Sequence, residues 1–339
     1  MKAKNMSLTT GESALICPKC DGDIDLLPSR CYCTNCGEVY PQTMGIPDLR
    51  GQDDRSNSSE QLIVQHLLAR YHDSTFADLF VERMKIAPTA DDLLGHEQGY
   101  QLNHLERGQH FFDMFQARLT EYLGHPQAGR ALDIGCGVGT SIIAMSTRFD
   151  NIVGVDVSMP ELILARKNLE EHGLTDVQLV QAQAQQLPFA SGSFSYINAV
   201  NTLEHVFDLD LVLAEVYRIL QPSGTFCADS RNRFDLFLPE PHVKLRWVGL
   251  LPRRWAPAYV RWAKNVDYSA TRLLSYFELR SQLQRYFGKS WRIVFPLVTA
   301  YGQPPQVDRL LALIERIPGL RTMLLWVFPS HLVLAKREH

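Results

Sequence analysis

The stretch ALDIGCGVGTS, residues 131–141, most narrows what this chain can fold into. Apolar residues run straight into Gly135, Gly137 and Gly139, and a helical pattern follows at once. Glycine tolerates the positive φ of a tight strand-to-helix turn and lets the backbone approach a ligand closely, with helix N–H groups facing it. From 130 to 230 the theme recurs: ALDIG, NIVGVDV, VQLVQA, SYINAV and GTFCAD alternate with helical periods. Parallel strands need long crossovers, usually helical, so the alternation predicts a parallel α/β sheet. The second strand ends at Asp156, 17 residues beyond Gly139, where a carboxylate can accept both hydroxyls of a ribose. Thr140 follows Gly139 directly, a departure from the G-x-G-x-x-G spacing of dinucleotide sites. On these residues alone, a domain for another nucleotide stays open as an alternative.

In this order the segments resemble class I S-adenosylmethionine-dependent methyltransferases, in the broad group that includes quinone-biosynthesis methylases. The resemblance implies a doubly wound, Rossmann-like seven-stranded methyltransferase sheet, with WRIVFPLV and HLVLAK as its final antiparallel pair. It implies an S-adenosylmethionine-binding core over 128–230. Asp133, Gly135, Cys136, Gly137 and Gly139 would cradle the methionine part, Asp156 would bind the ribose and Val157 would flank the adenine. Gln183, Ala184 and Asn201 complete the implied cofactor set. Gln183 stands where the group often has an acid, and its carbonyl can still accept from the adenine amine. Ser195 replaces a usual aspartate after Phe194, and QPSG (221–224) replaces the commoner KPGG.

Methyl transfer from a sulfonium draws mainly on proximity and alignment, but a hydroxyl acceptor also needs a base, most often histidine. His205 in LEHV and His242 in PEPHV are expected at the carboxyl edge of the sheet, with Glu204 and Glu240 placed to orient them. The plainer alternative has His205 capping a helix or packing under the cofactor. His104 and His110 are weaker candidates. No acidic cluster suggests a catalytic metal, so magnesium-assisted O-methylation is not expected.

Five of the seven cysteines fall between positions 17 and 36. Cys17-x2-Cys20 and Cys33-x2-Cys36, separated by twelve residues, can close a tetrahedral thiolate shell around a structural Zn²⁺. Cys31 is the odd thiol of the cluster. Redox use fits less well, because neither CxxC opens a helix in a βαβ pattern. The module resembles zinc-ribbon segments ahead of many bacterial methyltransferases. It also resembles the ribbon of small activators of tRNA methyltransferases, and the knuckle of rRNA guanine methyltransferases. It therefore leaves the substrate open.

The organisation expected is a zinc ribbon at 15–50, a polar linker at 51–60, and a helical N-terminal cap at 61–127. The core at 128–230 precedes a substrate-binding helical and aromatic insertion at 231–290, and 291–339 returns C-terminal strands to the sheet. The net charge of −3 hides an asymmetry: residues 231–339 hold 18 Lys/Arg against 7 Asp/Glu, and all five tryptophans. Arginines and exposed aromatics suit RNA, a membrane surface or a lid over a small molecule. Alternatively the tryptophans are core. The stretch SRNRFDLFLPEPHVKLRWVGLLPRRW resembles insertions of quinone, cell-surface and secondary-metabolite methyltransferases. It favours a small or lipid-linked acceptor, with peripheral membrane contact through 243–264. RNA is the second reading and a non-catalytic scaffold the third. A first segment without an apolar h-region, and no run long enough to span a bilayer, predict a cytoplasmic protein.

Overall fold

The computed structural model describes residues 15–28, 30–51, 58–86, 97–240, 242–269, 271–301 and 303–338, without the side chains of 58, 97–104, 300 and 301. The chain opens with β1 (Ile24–Leu27), β2 (Arg30–Cys33) and β3 (Val39–Tyr40), an antiparallel trio, and a small pair, β4 (Gln42–Thr43) with β5 (Ile46–Pro47). Helices α1 (Ser58–Arg70), α2 (Phe76–Ile86) and α3 (Glu97–Leu123) come next. The alternating segment follows as β6 (Arg130–Ile134), α4 (Thr140–Met145), β7 (Asn151–Asp156), α5 (Met159–Glu171), β8 (Gln178–Gln181), β9 (Phe194–Ala199), α6 (Leu209–Ile219) and β10 (Leu220–Arg231). After it come α7 (Ala256–Lys264), α8 (Tyr276–Phe287), β11 (Trp291–Val294), α9 (Pro305–Glu315), α10 (Pro318–Val327) and β12 (Ser330–Lys336).

Seven strands form one sheet in the order β11-β12-β10-β9-β6-β7-β8. The pairs β6/β7, β7/β8, β6/β9 and β9/β10 are parallel, and β12 alone runs against its neighbours. Side chains alternate between faces with a period of two, and the sequence fills both faces with apolar residues. Leu132, Ile134, Val153, Val155, Val333 and Ala335 face one core, which also holds α6, α8 and the cysteine module. Ala131, Ile152, Leu179, Leu332 and Leu334 face the other, covered by α1 to α5. A three-layer α/β sandwich results, and the parallel strands all end on one edge.

Helix starts are written locally. Asp208 caps α6 by accepting from the Asp210 and Leu211 amides, and Ser275 with Glu278 forms a capping box at α8. Helix α3 crosses α4 at Gly108, where a Cβ would fall 2.8 Å from the Thr140 carbonyl oxygen. That approach lays α3 across the helix that leaves the glycine turn.

Three sequence expectations shift. The 51–60 linker lies mostly outside the described residues, but its end is not linker: α1 begins at Ser58, and Glu60 is a structural side chain. The 231–290 insertion is narrower than drawn, because Tyr276, Leu279, Leu283 and Phe287 of α8 belong to the main core. What remains outside that core has its own small cluster, including Val243, Val248, Val260 and Tyr268. Of the five tryptophans only Trp291 packs against the main core. Trp247, Trp255, Trp262 and Trp326 are 45–83% exposed, so the core alternative fails for four of the five.

Candidate active site

The glycine turn folds as its spacing requires. Gly135, Gly137 and Gly139 all have positive φ (69°, 48° and 80°), and the Gly135 and Cys136 amides donate to the Val155 carbonyl. A Cβ at Gly135 would strike the Thr202 side chain, whereas one at Gly137 would meet nothing within 4 Å. The turn is thus packed from below and open above Gly137.

Asp156 closes that turn from the end of β7. Its Oδ2 accepts from the Gly137 amide and its Oδ1 from the Ser158 amide, both at 2.9 Å. Burial raises its pKa to about 6, with the Glu161 charge adding and these amides opposing. Asp133 is fully buried, with Oδ1 accepting from Asn198 Nδ2 at 2.8 Å. Its Oδ2 has no hydrogen-bond partner among the described residues. Burial carries the Asp133 pKa to about 7, helped by the Asp156 charge. Val157 is half exposed beside Asp156. Cys136 is buried under the turn, while Gln183 and Ala184 stand half-buried just past β8. Asn201 is exposed after β9 at φ 49°, its amide donating to Asp229 Oδ1 at 2.7 Å. Every implied cofactor residue therefore gathers on the carboxyl edge.

His205 and His242 meet there as well, although 37 positions separate them in the chain. Their rings stand edge to face with centroids 5.1 Å apart. His205 ends a 3-10 turn after β9 and is exposed. His242 is half-buried, its Nδ1 within 2.5 Å of Glu240 Oε1. Glu240 is in turn fastened by the Val243 amide at 2.8 Å. Glu204 is buried, its Oε2 is without a partner among the described residues, and burial beside Asp229 raises its pKa to about 7. Glu204, His205 and His242 bring one ligand atom each within 4.8 Å of one another, a spacing that could also share a cation. The sequence places these residues on one edge but suggests no metal there, because the three come from two loops. His110 is exposed on α3, and the His104 side chain lies outside the described residues.

The cysteines assemble as their spacing demands. Cys17, Cys20, Cys33 and Cys36 converge, with Cys17 Sγ 3.8 Å from Cys36 Sγ and Cys20 Sγ 3.5 Å from Cys33 Sγ. Amides of Lys19, Asn35 and Cys36 point at these sulfurs, and Tyr40 Oη lies 2.9 Å from Cys17 Sγ. Cys31 is buried on β2 and is not part of the foursome.

One network escaped sequence reading. Arg50, at the end of the cysteine module, pairs with Asp48 (2.9 Å) and Glu60 (3.1 Å) and donates to the Val157 carbonyl at 3.2 Å. Gln181 of β8 donates to Val157 O and to Glu60 Oε1, which also accepts from the Met159 amide. The module is thereby tied to the loop that follows Asp156. Only the acid that ends β7 was legible in the sequence. Arg50, which braces the next residue, comes from 107 positions away.

Residues 132–228 match a family model described as a methyltransferase domain. Curated relatives include the uncharacterized methyltransferase YcgJ of Bacillus subtilis, 30% identical over 141 residues, 42% of this chain and 54% of that protein. A demethylmenaquinone methyltransferase of Lactobacillus johnsonii is 30% identical over 156 residues, 43% of this chain and 57% of that protein. The chain thus spans about half the length of the curated relatives it matches. Among solved structures, phosphoethanolamine N-methyltransferase 2 of Haemonchus contortus matches with a TM-score of 0.47 at 15% identity, covering 74% of this chain and 60% of that one.

Proposed function

We propose that the chain is an S-adenosylmethionine-dependent methyltransferase acting on an oxygen or nitrogen of a small or lipid-linked metabolite. The observation that carries the reading is Asp156, fixed by the Gly137 and Ser158 amides at the lip of an open glycine turn. The cofactor fits the residues present. Asp156 can accept from ribose hydroxyls, and the unpartnered Asp133 Oδ2 suits the cofactor's ammonium. Gly137 leaves space for a close approach. When bound, the cofactor supplies a sulfonium methyl, which an acceptor lone pair takes as the carbon–sulfur bond breaks and its electrons return to sulfur. The protein's part is to align the acceptor and exclude water. His205, exposed on the same edge, takes the proton a hydroxyl acceptor must lose, and His242 backs it, oriented by Glu240. The menaquinone relative and the exposed Trp247, Trp255 and Trp262 beside Arg254, Arg261 and Lys264 support a lipid-linked acceptor met at a membrane face.

The thiolate foursome is read as a structural zinc site. Zn–S bonds of about 2.3 Å set tetrahedral sulfurs about 3.8 Å apart, close to the observed spacings. Zinc analysis checks it: Cys33→Ser loses the metal and Cys31→Ser keeps it.

For the activity, calorimetry with S-adenosylmethionine comes first, followed by labelled cofactor with a fractionated extract of the source cell. Label in solvent-extractable material supports the reading. Label confined to RNA, or no cofactor binding, overturns it.

A further inference from the structure

The insertion after β10 encloses a cleft of about 220 Å³ that begins at His205. Its walls are apolar at Val248, Leu251 and Leu273, yet Arg233, Arg253 and Arg272 line it too. Among the described residues, the one carboxylate paired with these arginines is Glu278. Arg253 holds it with both terminal nitrogens, at 2.6 and 2.9 Å, and Arg272 stands 3.9 Å away. Arg233 has backbone partners instead: its Nε donates to Gly249 O at 2.9 Å and its Nη2 to Leu251 O at 3.3 Å. A guanidinium has five N–H donors, so these bonds fix the group and leave Nη1 for another acceptor. The loop that holds it is built closely. A Cβ at Gly249 would sit 1.7 Å from the Arg233 carbonyl oxygen, so only glycine lets the chain cross there. Burial and the Arg253 charge lower the Arg233 pKa and the Glu278 charge only partly opposes them, as expected for a cation drawn from water without a carboxylate bonded to it.

We infer that the cleft binds the acceptor through an anionic group, a carboxylate or a phosphate, seated on Arg233 and Arg272. The acceptor's apolar body lies along Val248, Leu251 and Leu273, and its nucleophilic atom is delivered toward His205. A guanidinium fork matches either anion in two-point geometry, while a neutral ligand would displace water and leave those donors unmatched. The inference rests on the methyl-transfer reading above and names the acceptor's chemical class.

The test uses the full chain with S-adenosylhomocysteine bound and three probes: phenyl phosphate, benzoate and neutral benzyl alcohol. Calorimetry at physiological ionic strength should show each anion binding about tenfold or more tightly than the alcohol. Arg233→Met should abolish that preference and Arg233→Lys should keep part of it, both with unchanged S-adenosylhomocysteine affinity. Equal affinity for alcohol and anions, or a preference that survives Arg233→Met, overturns the inference. If near-ultraviolet circular dichroism shows Arg233→Met misfolded, Arg272→Met at its more exposed position decides. It should cut the preference several-fold, and an unchanged preference counts against the inference. Absent S-adenosylhomocysteine binding would strike the methyl-transfer reading. Intact binding without anion preference would strike this inference alone.

Discussion

Two buried polar groups flank the glycine turn, and they are finished differently. On the Val157 side, Arg50 is matched by Asp48 and Glu60, and Gln181 ties the pair to Val157. Although burial opposes it, these two acids raise the Arg50 pKa. Beneath the turn, Asp133 keeps one carboxylate oxygen unpartnered among the described residues, and both Asp133 and Asp156 are held above the usual carboxylate range by burial. A closed network stabilises a shape, whereas an open one stores a cost that a ligand can relieve. The first group therefore reads as a brace and the second as open in the way the proposed cofactor site requires.

The comparison breaks most visibly at Arg50. Arg50→Met removes the cation from buried Asp48 and half-buried Glu60 and should lower stability by about 3 kcal/mol in urea unfolding. A loss below about 1 kcal/mol would remove the brace from the account. Asp156→Ala should act the other way round, leaving the fold intact while weakening S-adenosylmethionine binding about 100-fold, or about 2.7 kcal/mol, by calorimetry.

The pH dependence sharpens the contrast. The proposed cofactor site uses Asp156 as a carboxylate, so affinity should fall about tenfold per unit as pH drops below about 6. Stability without cofactor should move oppositely. Between the ordinary carboxylate value and about 6 to 7, the native state holds protons on Asp156 and Asp133 that the unfolded chain has released. Their contribution therefore falls as pH rises through that window. Thermal melts with and without S-adenosylhomocysteine across pH 5–8 would show both slopes, and parallel slopes would contradict the assignment. The smallest effect lies away from both groups. Ser223, where KPGG would place glycine, holds φ 64°. Ser223→Gly should relieve that strain and add about 0.5–1 kcal/mol of stability with binding unchanged.

Much of the fold was legible because its signals are local. Apolar residues with a period of two between helical periods specify the strands, three glycines specify the turn, and two C-x2-C knuckles specify the thiolate foursome. Ser195, where the pattern departs, is buried and its hydroxyl donates to the Arg130 carbonyl at 3.2 Å. In the sequence, helix α8 looks like part of the insertion because a Trp- and Arg-rich stretch leads into it without a break. Its capping box marks the helix start, but nothing in that box says which core the helix joins.

The sequence by itself determined the strand alternation, the glycine turn with its acid, and the paired cysteine knuckles, since each is set by neighbours a few residues apart. Only the tertiary structure decided that Arg50 reaches Val157, that His205 meets His242, and that Arg233, bonded to two carbonyls, lies beside an apolar wall. Charge pairing and burial depend on distances through space, and residues far apart in the chain carry no local mark of the partner they will meet.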